Sequence, residues 1–167
     1  DWARSWDGRN GALIDLSQAV PGYPPHPDLL AALAGAAGSA ALAGYGPIVG
    51  ETVLREACAA HVSGIYGADI AANDVHITAG CNQAFFATVM ALAGHGEAVL
   101  LTNPFYFNHD TTLSMLGIRT ATVDLDPASG FLPDPDTIGA AITPDVRALA
   151  LVSPNNPTGA VCGPDRL

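Results

Sequence analysis

Lysine is absent from this sequence. All six basic residues are arginines, namely Arg4, Arg9, Arg55, Arg119, Arg147 and Arg166, so no side chain offers a primary amine for condensation with a carbonyl group. Cysteine is scarce. Cys58, Cys81 and Cys162 stand far apart with no CxxC or Cys/His ligand spacing, which argues against a zinc site or a disulfide framework and for a reduced, cytoplasmic protein. Long apolar runs are missing as well: the longest, residues 84–94, falls short of the ~20 residues of a membrane-spanning helix. The chain opens at Asp1 without a methionine or a basic-then-apolar leader, so neither a signal nor a transit peptide is expected. Positive charge is in deficit too. Sixteen carboxylates against six arginines give a net charge of −10, which disfavours nucleic acid and anionic membranes as partners.

What is present is a buried, globular kind of sequence, 167 residues long and 49% hydrophobic, enough for one domain with a proper core. From residue 73 onward, short β-branched runs alternate with longer helical patterns, the signature of βαβ units in a mostly parallel sheet. The pattern predicts strands at 75–79, 98–102, 119–124 and 148–153. Between them helices are expected at 82–92, 109–116 and 135–142, and upstream at 27–37 and 52–66, the last ended by Gly67. Phe85, Thr88, Val89 and Leu92 share one face of the 82–92 helix, with Phe86 and Met90 beside them, so that helix is expected to be broadly buried. Residues 16–27 contain four prolines and read as an extended segment. The final Gly163-Pro164-Asp165-Arg166-Leu167 is a helix-start signal, so further sequence is expected to follow.

Four motifs carry chemistry. Ser153-Pro154-Asn155-Asn156-Pro157-Thr158-Gly159 directly follows an apolar strand, where ligands of open α/β sheets sit. Thr78-Ala79-Gly80-Cys81-Asn82-Gln83-Ala84 reads as a tight turn into a helix, whose free N–H groups and dipole favour an anion. Cys81 could alternatively be a thiol activated at that helix start. Asn103-Pro104-Phe105-Tyr106-Phe107-Asn108-His109 follows another strand and is aromatic; His109 reads as structural rather than catalytic. Tyr45-Gly46-Pro47-Ile48-Val49-Gly50 followed by Leu54-Arg55 is the fourth. Its glycines brush against a dinucleotide fingerprint, but no strand precedes them and Pro47 interrupts them, so that reading is set aside.

Taken in order, these motifs resemble those of the class I/II aminotransferase family of pyridoxal-phosphate (PLP) enzymes, from about residue 14 to the end. The resemblance implies an α/β PLP-transferase fold (fold type I), with residues 1–44 as an N-terminal segment and helix on the substrate side and 45–167 as the first part of the large PLP-binding domain. It implies that Gly80, Cys81 and Asn82 hold the cofactor phosphate, that Tyr106 stacks on the pyridine ring, and that Asn156 hydrogen-bonds the phenolic oxygen and borders the substrate. Tyr45 would reach the phosphate in the partner subunit of a homodimer. Residues 15–24 resemble the family's substrate-lining segment, with Ala19 where a glycine usually donates its N–H to the substrate carboxylate. The Asn156–Pro157 bond is expected to be cis, as is Asn103–Pro104. The family's catalytic lysine and its carboxylate-binding arginine lie later than Gly159, so no catalytic residue and no metal ligand is expected here. The implied activity is amino transfer between an α-amino acid and a 2-oxo acid. Alternatives sharing this front half are a PLP-dependent β-lyase or decarboxylase, a non-catalytic PLP-binding effector domain of a transcription regulator, and a catalytically dead fragment.

Overall fold

The structure is a computed structural model that describes residues 6–14 and 21–166. The chain divides into two units, residues 1–46 and 47–167. The first contains helix α1 (Pro27–Ala37), which starts at His26: the His26 ring accepts a hydrogen bond from the Asp28 N–H, and Pro27 opens the helix where a missing N–H costs nothing.

The second unit is built around a three-stranded parallel sheet. In chain order it runs through α2 (Thr52–Tyr66), α3 (Cys81–Leu92), β1 (Ala98–Asn103), α4 (Phe107–Met115), β2 (Arg119–Asp124), α5 (Pro135–Ala141) and β3 (Val146–Ala150). The strand order is β2-β1-β3, so β1 is central. Its sequence AVLLTN explains that place: residues 98 to 102 are all buried, as a strand covered on both faces requires. Successive side chains alternate between the faces. Val99 and Leu101 pack with Val89, Ala93, Leu113 and Ile118 from α3, α4 and the turn that follows. Leu100 faces the other way, into Val123 and Ile138, the latter on α5. The sheet thus carries α3 and α4 on one face and α5 on the other.

Several sequence expectations are met within a residue or two, because local signals fix the ends. Gly67 adopts φ 63° and closes α2, and the Asp134 carboxylate accepts the Thr137 N–H to start α5. Others are corrected. Residues 75–79 form no ladder among the described residues; the Ile77 N–H donates to the Val49 carbonyl at 3.0 Å and the Val75 N–H to the Ala72 carbonyl at 3.2 Å. The described sheet is β2-β1-β3 and none of its strands pairs with 75–79, so the apolar alternation there stands without a ladder. β3 lies earlier than expected, at Val146–Ala150, because its pairing with β1 begins at Val146 and the chain then leaves the sheet at Leu151. Helix α3 is buried only along its sheet-facing stripe, with Val89 as its one buried residue, while Phe86, Met90 and Leu92 are exposed.

Gly50 is a position that needs glycine. It sits at φ 98°, and an added Cβ would lie 2.5 Å from the Ile77 Cβ, so a side chain there meets both a strained backbone and a collision. Arg55 braces the same region, its guanidinium donating to the carbonyls of Val75 at 2.9 Å and Ala72 at 2.7 Å.

Candidate functional site

The candidate residues of the second unit gather at the carboxyl end of the sheet. Only residues 93–97 separate α3 from β1, so the helix runs antiparallel to the strand. The 12 residues of α3 span about 18 Å at ~1.5 Å each, and the 6 residues of β1 span about 20 Å at ~3.3 Å each. The start of α3 therefore lies at the level where β1 ends.

That helix start is open. Gly80 is its N-cap at φ 87°, ψ 166°, a conformation that is essentially glycine-only, and no side chain caps the N–H groups that follow. A Cβ built on Gly80 meets nothing within 4 Å. The turn is held from behind, with the Thr78 hydroxyl donating to the Gly80 carbonyl at 3.0 Å and the Ala79 N–H to the Gln83 side-chain oxygen at 2.6 Å. Cys81 and Asn82 are exposed.

From the end of β1 the chain passes the cis Asn103–Pro104 bond into α4, with Tyr106 as its N-cap. The half-buried Tyr106 ring meets His109 edge-on, at 5.4 Å and 89°. His109 in turn stacks on Phe85 of α3 at 4.2 Å and 24°. Tyr106 is thereby linked to α3 through two ring contacts. Its hydroxyl accepts a bond from the Asn108 amide at 2.5 Å. Burial of the His109 imidazole holds its pKa below the ordinary histidine value, which favours the neutral ring that stacking on Phe85 suits.

The loop after β3 carries cis bonds at Ser153–Pro154 and Asn156–Pro157. Its two asparagines differ. The half-buried Asn155 amide donates to the Pro104 carbonyl at 3.1 Å and to the Thr158 hydroxyl at 2.9 Å. Asn156 is exposed, and its side chain makes no hydrogen bond with the described residues. It is the free donor of the pair. Asn155, Asn108 and Phe85 were not foreseen as site residues. The resemblance singles out Asn156, but no local signal gives Asn155 its bond to Pro104, and the ring stack joins positions 24 residues apart with no local pattern.

Two of the cavities at this end have motif residues in their lining. One, about 100 Å³, is bordered by Thr102, Leu125, Leu151, Ser153, Asn155 and Cys162. The other, about 370 Å³, lies between α3 and α4 beside Asn82, Gln83, Phe86 and Asn108. Neither is lined by Tyr106 or Asn156. Tyr45 belongs to the first unit, where it is fully exposed, and Ala19 lies outside the described residues. Among the described residues there is no cluster of three or more metal-binding side chains, and no helix is long and apolar enough to cross a membrane.

Loops leaving the carboxyl ends of two neighbouring parallel strands, with an uncapped helix start at the same level, occupy the place where open α/β domains take their ligands. The chain belongs to the aminotransferase class I and II family, which it matches over residues 12–167. The structure of N-succinyldiaminopimelate aminotransferase from Mycobacterium tuberculosis superposes with a TM-score of 0.82 at 36% identity, covering 89% of this chain and 39% of that one. Another aminotransferase from M. tuberculosis gives 0.84 at 29% identity over 99% of this chain and 42% of that one. The aspartate/prephenate aminotransferase of Thermus thermophilus is 35% identical over 70% of this chain and 30% of its own length. The fold is that of fold-type I aminotransferases, and the chain spans about two fifths of the length of these two solved relatives.

Proposed function

We propose that the protein to which this chain belongs is a PLP-dependent aminotransferase that moves an amino group between an α-amino acid and a 2-oxo acid. The observation that carries this is the free, exposed Asn156 amide on a loop clasped to the Tyr106 loop, beside a glycine-gated helix start. The residues present suit the cofactor: uncapped N–H groups and open space at Gly80 for a phosphate, an aromatic ring for a flat heterocycle, and an unbonded amide for a phenolic oxygen.

When bound, PLP supplies the electron sink for bonds at the amino acid's α-carbon. The chain's own residues bind and orient. The N–H groups that follow Gly80, at Cys81 and Asn82, hold the phosphate with the help of the helix dipole, worth roughly 0.3–1 kcal/mol per charge. Tyr106 packs its ring against the heterocycle, adding ~0.5–1.5 kcal/mol beyond area burial. Asn156 donates to the phenolic oxygen, favours its anionic form, and borders the substrate. Tyr45 of one subunit reaches the phosphate of the other in a homodimer, and Ala19 lines the substrate side. No lysine stands among these 167 residues, so any side-chain amine the reaction uses comes from outside them. Three free thiols support the cytoplasm as its compartment.

The test is to titrate the purified full-length protein with PLP, follow protein-bound absorbance, and assay 2-oxo acid formation from a panel of amino acids. Aspartate and N-succinyldiaminopimelate, which appear in the relatives' names, head the panel. Release of free ammonia with no amino acid formed from an added 2-oxo acid acceptor would replace the transferase with a lyase, and release of carbon dioxide would replace it with a decarboxylase. Absence of any PLP binding would overturn the proposal outright.

A further inference from the structure

We propose that Asn155 is a positioning residue: by clasping the two exit loops it sets the placement of Asn156 and Tyr106 together. This rests on reading the cleft as a cofactor site. Asn155 makes four hydrogen bonds through three polar groups. Its Nδ2 donates to the Pro104 carbonyl at 3.1 Å and to the Thr158 Oγ1 at 2.9 Å. Its backbone N–H donates to the Ala160 carbonyl at 2.8 Å, and its own carbonyl accepts the Gly159 N–H at 2.7 Å. The Pro104 oxygen can only accept, so the orientation of the amide is fixed: the NH2 group faces it. The Ala160 N–H also donates to the Thr158 Oγ1, at 3.2 Å, which anchors the hydroxyl that Asn155 grips.

Pro104 stands two residues before Tyr106, and Asn155 immediately precedes Asn156. Among the described residues this is the one side-chain hydrogen bond between the two loops. The spacing of the two ligand-facing groups is therefore held through a residue that need touch no ligand. Displacement by about 1 Å at a positioned group can cost 100-fold in rate, so a clasp of this kind is felt by the cofactor although the clasp itself is out of its reach.

The experiment uses the full-length protein as Asn155→Ala, Asn156→Ala and the double variant. Two quantities are read: the pH midpoint of the bound-PLP absorbance, and hydrogen exchange of the Gly159 and Ala160 amides in the cofactor-free protein. We expect Asn156→Ala to move the midpoint, Asn155→Ala to move it in the same direction, and the double variant to match Asn156→Ala alone. We also expect Asn155→Ala to weaken PLP binding at least about tenfold and to speed exchange at both amides. If Asn155→Ala leaves the midpoint unchanged, or if its shift adds in full to that of Asn156→Ala, the positioning role is overturned. Should Asn155→Ala fail to fold, Thr158→Val removes one anchor of the clasp at nearly constant shape. It should give a smaller shift of the same sign, with Thr158→Ser restoring the parent value, and an unmoved midpoint in Thr158→Val counts against the proposal. A wild-type protein that binds no PLP defeats the cofactor reading instead, while the exchange measurement still decides whether the clasp exists.

Discussion

The Phe85 and His109 rings lie face to face at 4.2 Å, 24° from parallel, and join the second turn of α3 to the first turn of α4. The contact fastens the phosphate-side helix to the element that begins with Tyr106. Phe85→Ala removes one ring from a half-buried stack, so it should cost about 2–3 kcal/mol, below the ~3–5 kcal/mol of a fully buried phenylalanine. Denaturant titration of the full-length protein checks this, and a cost under about 0.5 kcal/mol would mean that the stack carries no stability.

His109 brings a pH dependence with it. Burial lowers its folded-state pKa below the unfolded value of about 6.5. As pH falls through that value, the unfolded chain takes up a proton before the folded one, so stability declines toward the lower folded pKa and is unaffected above the unfolded one. His109→Phe keeps the stack and removes the titration. Its melting temperature should therefore fall less than the wild type's between pH 7.5 and 5. Parallel curves would refute the assignment.

The sheet's opposite end titrates at lower pH. Hydrogen bonding from Thr143 first, and from Arg119 next, holds the Asp145 carboxyl down to about 2. The unfolded carboxyl titrates near 3.9, so the contribution is present above pH ~4 and is lost as pH falls toward 2. Asp145→Asn should flatten the acid side of the stability curve over that window, as read by denaturation midpoints at pH 2.5, 4 and 7.

Gly80→Ala places a side chain at φ 87°, ψ 166°, which costs about 1–3 kcal/mol of backbone strain. The space around the position is open, so the damage comes from conformation rather than collision. We expect the helix start to shift and PLP affinity to fall at least about tenfold, with the fold retained by circular dichroism. An alanine variant with wild-type affinity would show that the turn tolerates another geometry.

Asn156→Ala provides the contrast. Its amide is exposed and bonded to no described residue, so stability should stay within ~0.5 kcal/mol of the parent while the bound-cofactor absorbance changes. Loss of stability without a spectral effect would reverse the roles assigned to the two asparagines.

How much of this was legible in the sequence depends on the range of the signal. Helices α1 and α2 and strand β2 fall where the sequence places them because their punctuation is local: His26-Pro27 at one start, Gly67 at one end. Residues 75–79 carry the alternation of a strand, yet strandedness needs a partner, and none of the three described strands pairs with them. The motif residues Gly80, Tyr106 and Asn156 sit on loops at one end of the sheet because short connections between antiparallel helix and strand leave little choice. The bond of Asn155 to Pro104 was invisible, since it joins residues 51 apart and distinguishes one asparagine from an identical neighbour only in space.

That separation has a kinetic meaning. A contact between residues 51 apart closes a long loop, whose entropic cost is met only when the intervening elements have docked. Pairing of β3 with β1, which sets Leu101 beside Ala150, already closes nearly all of that loop, so the shape of the ligand loops is tied to the docking of those two strands. A molecule that binds the finished loops and not the open chain would act as a selector for completed folding, drawing newly made protein out of its partly assembled forms by mass action.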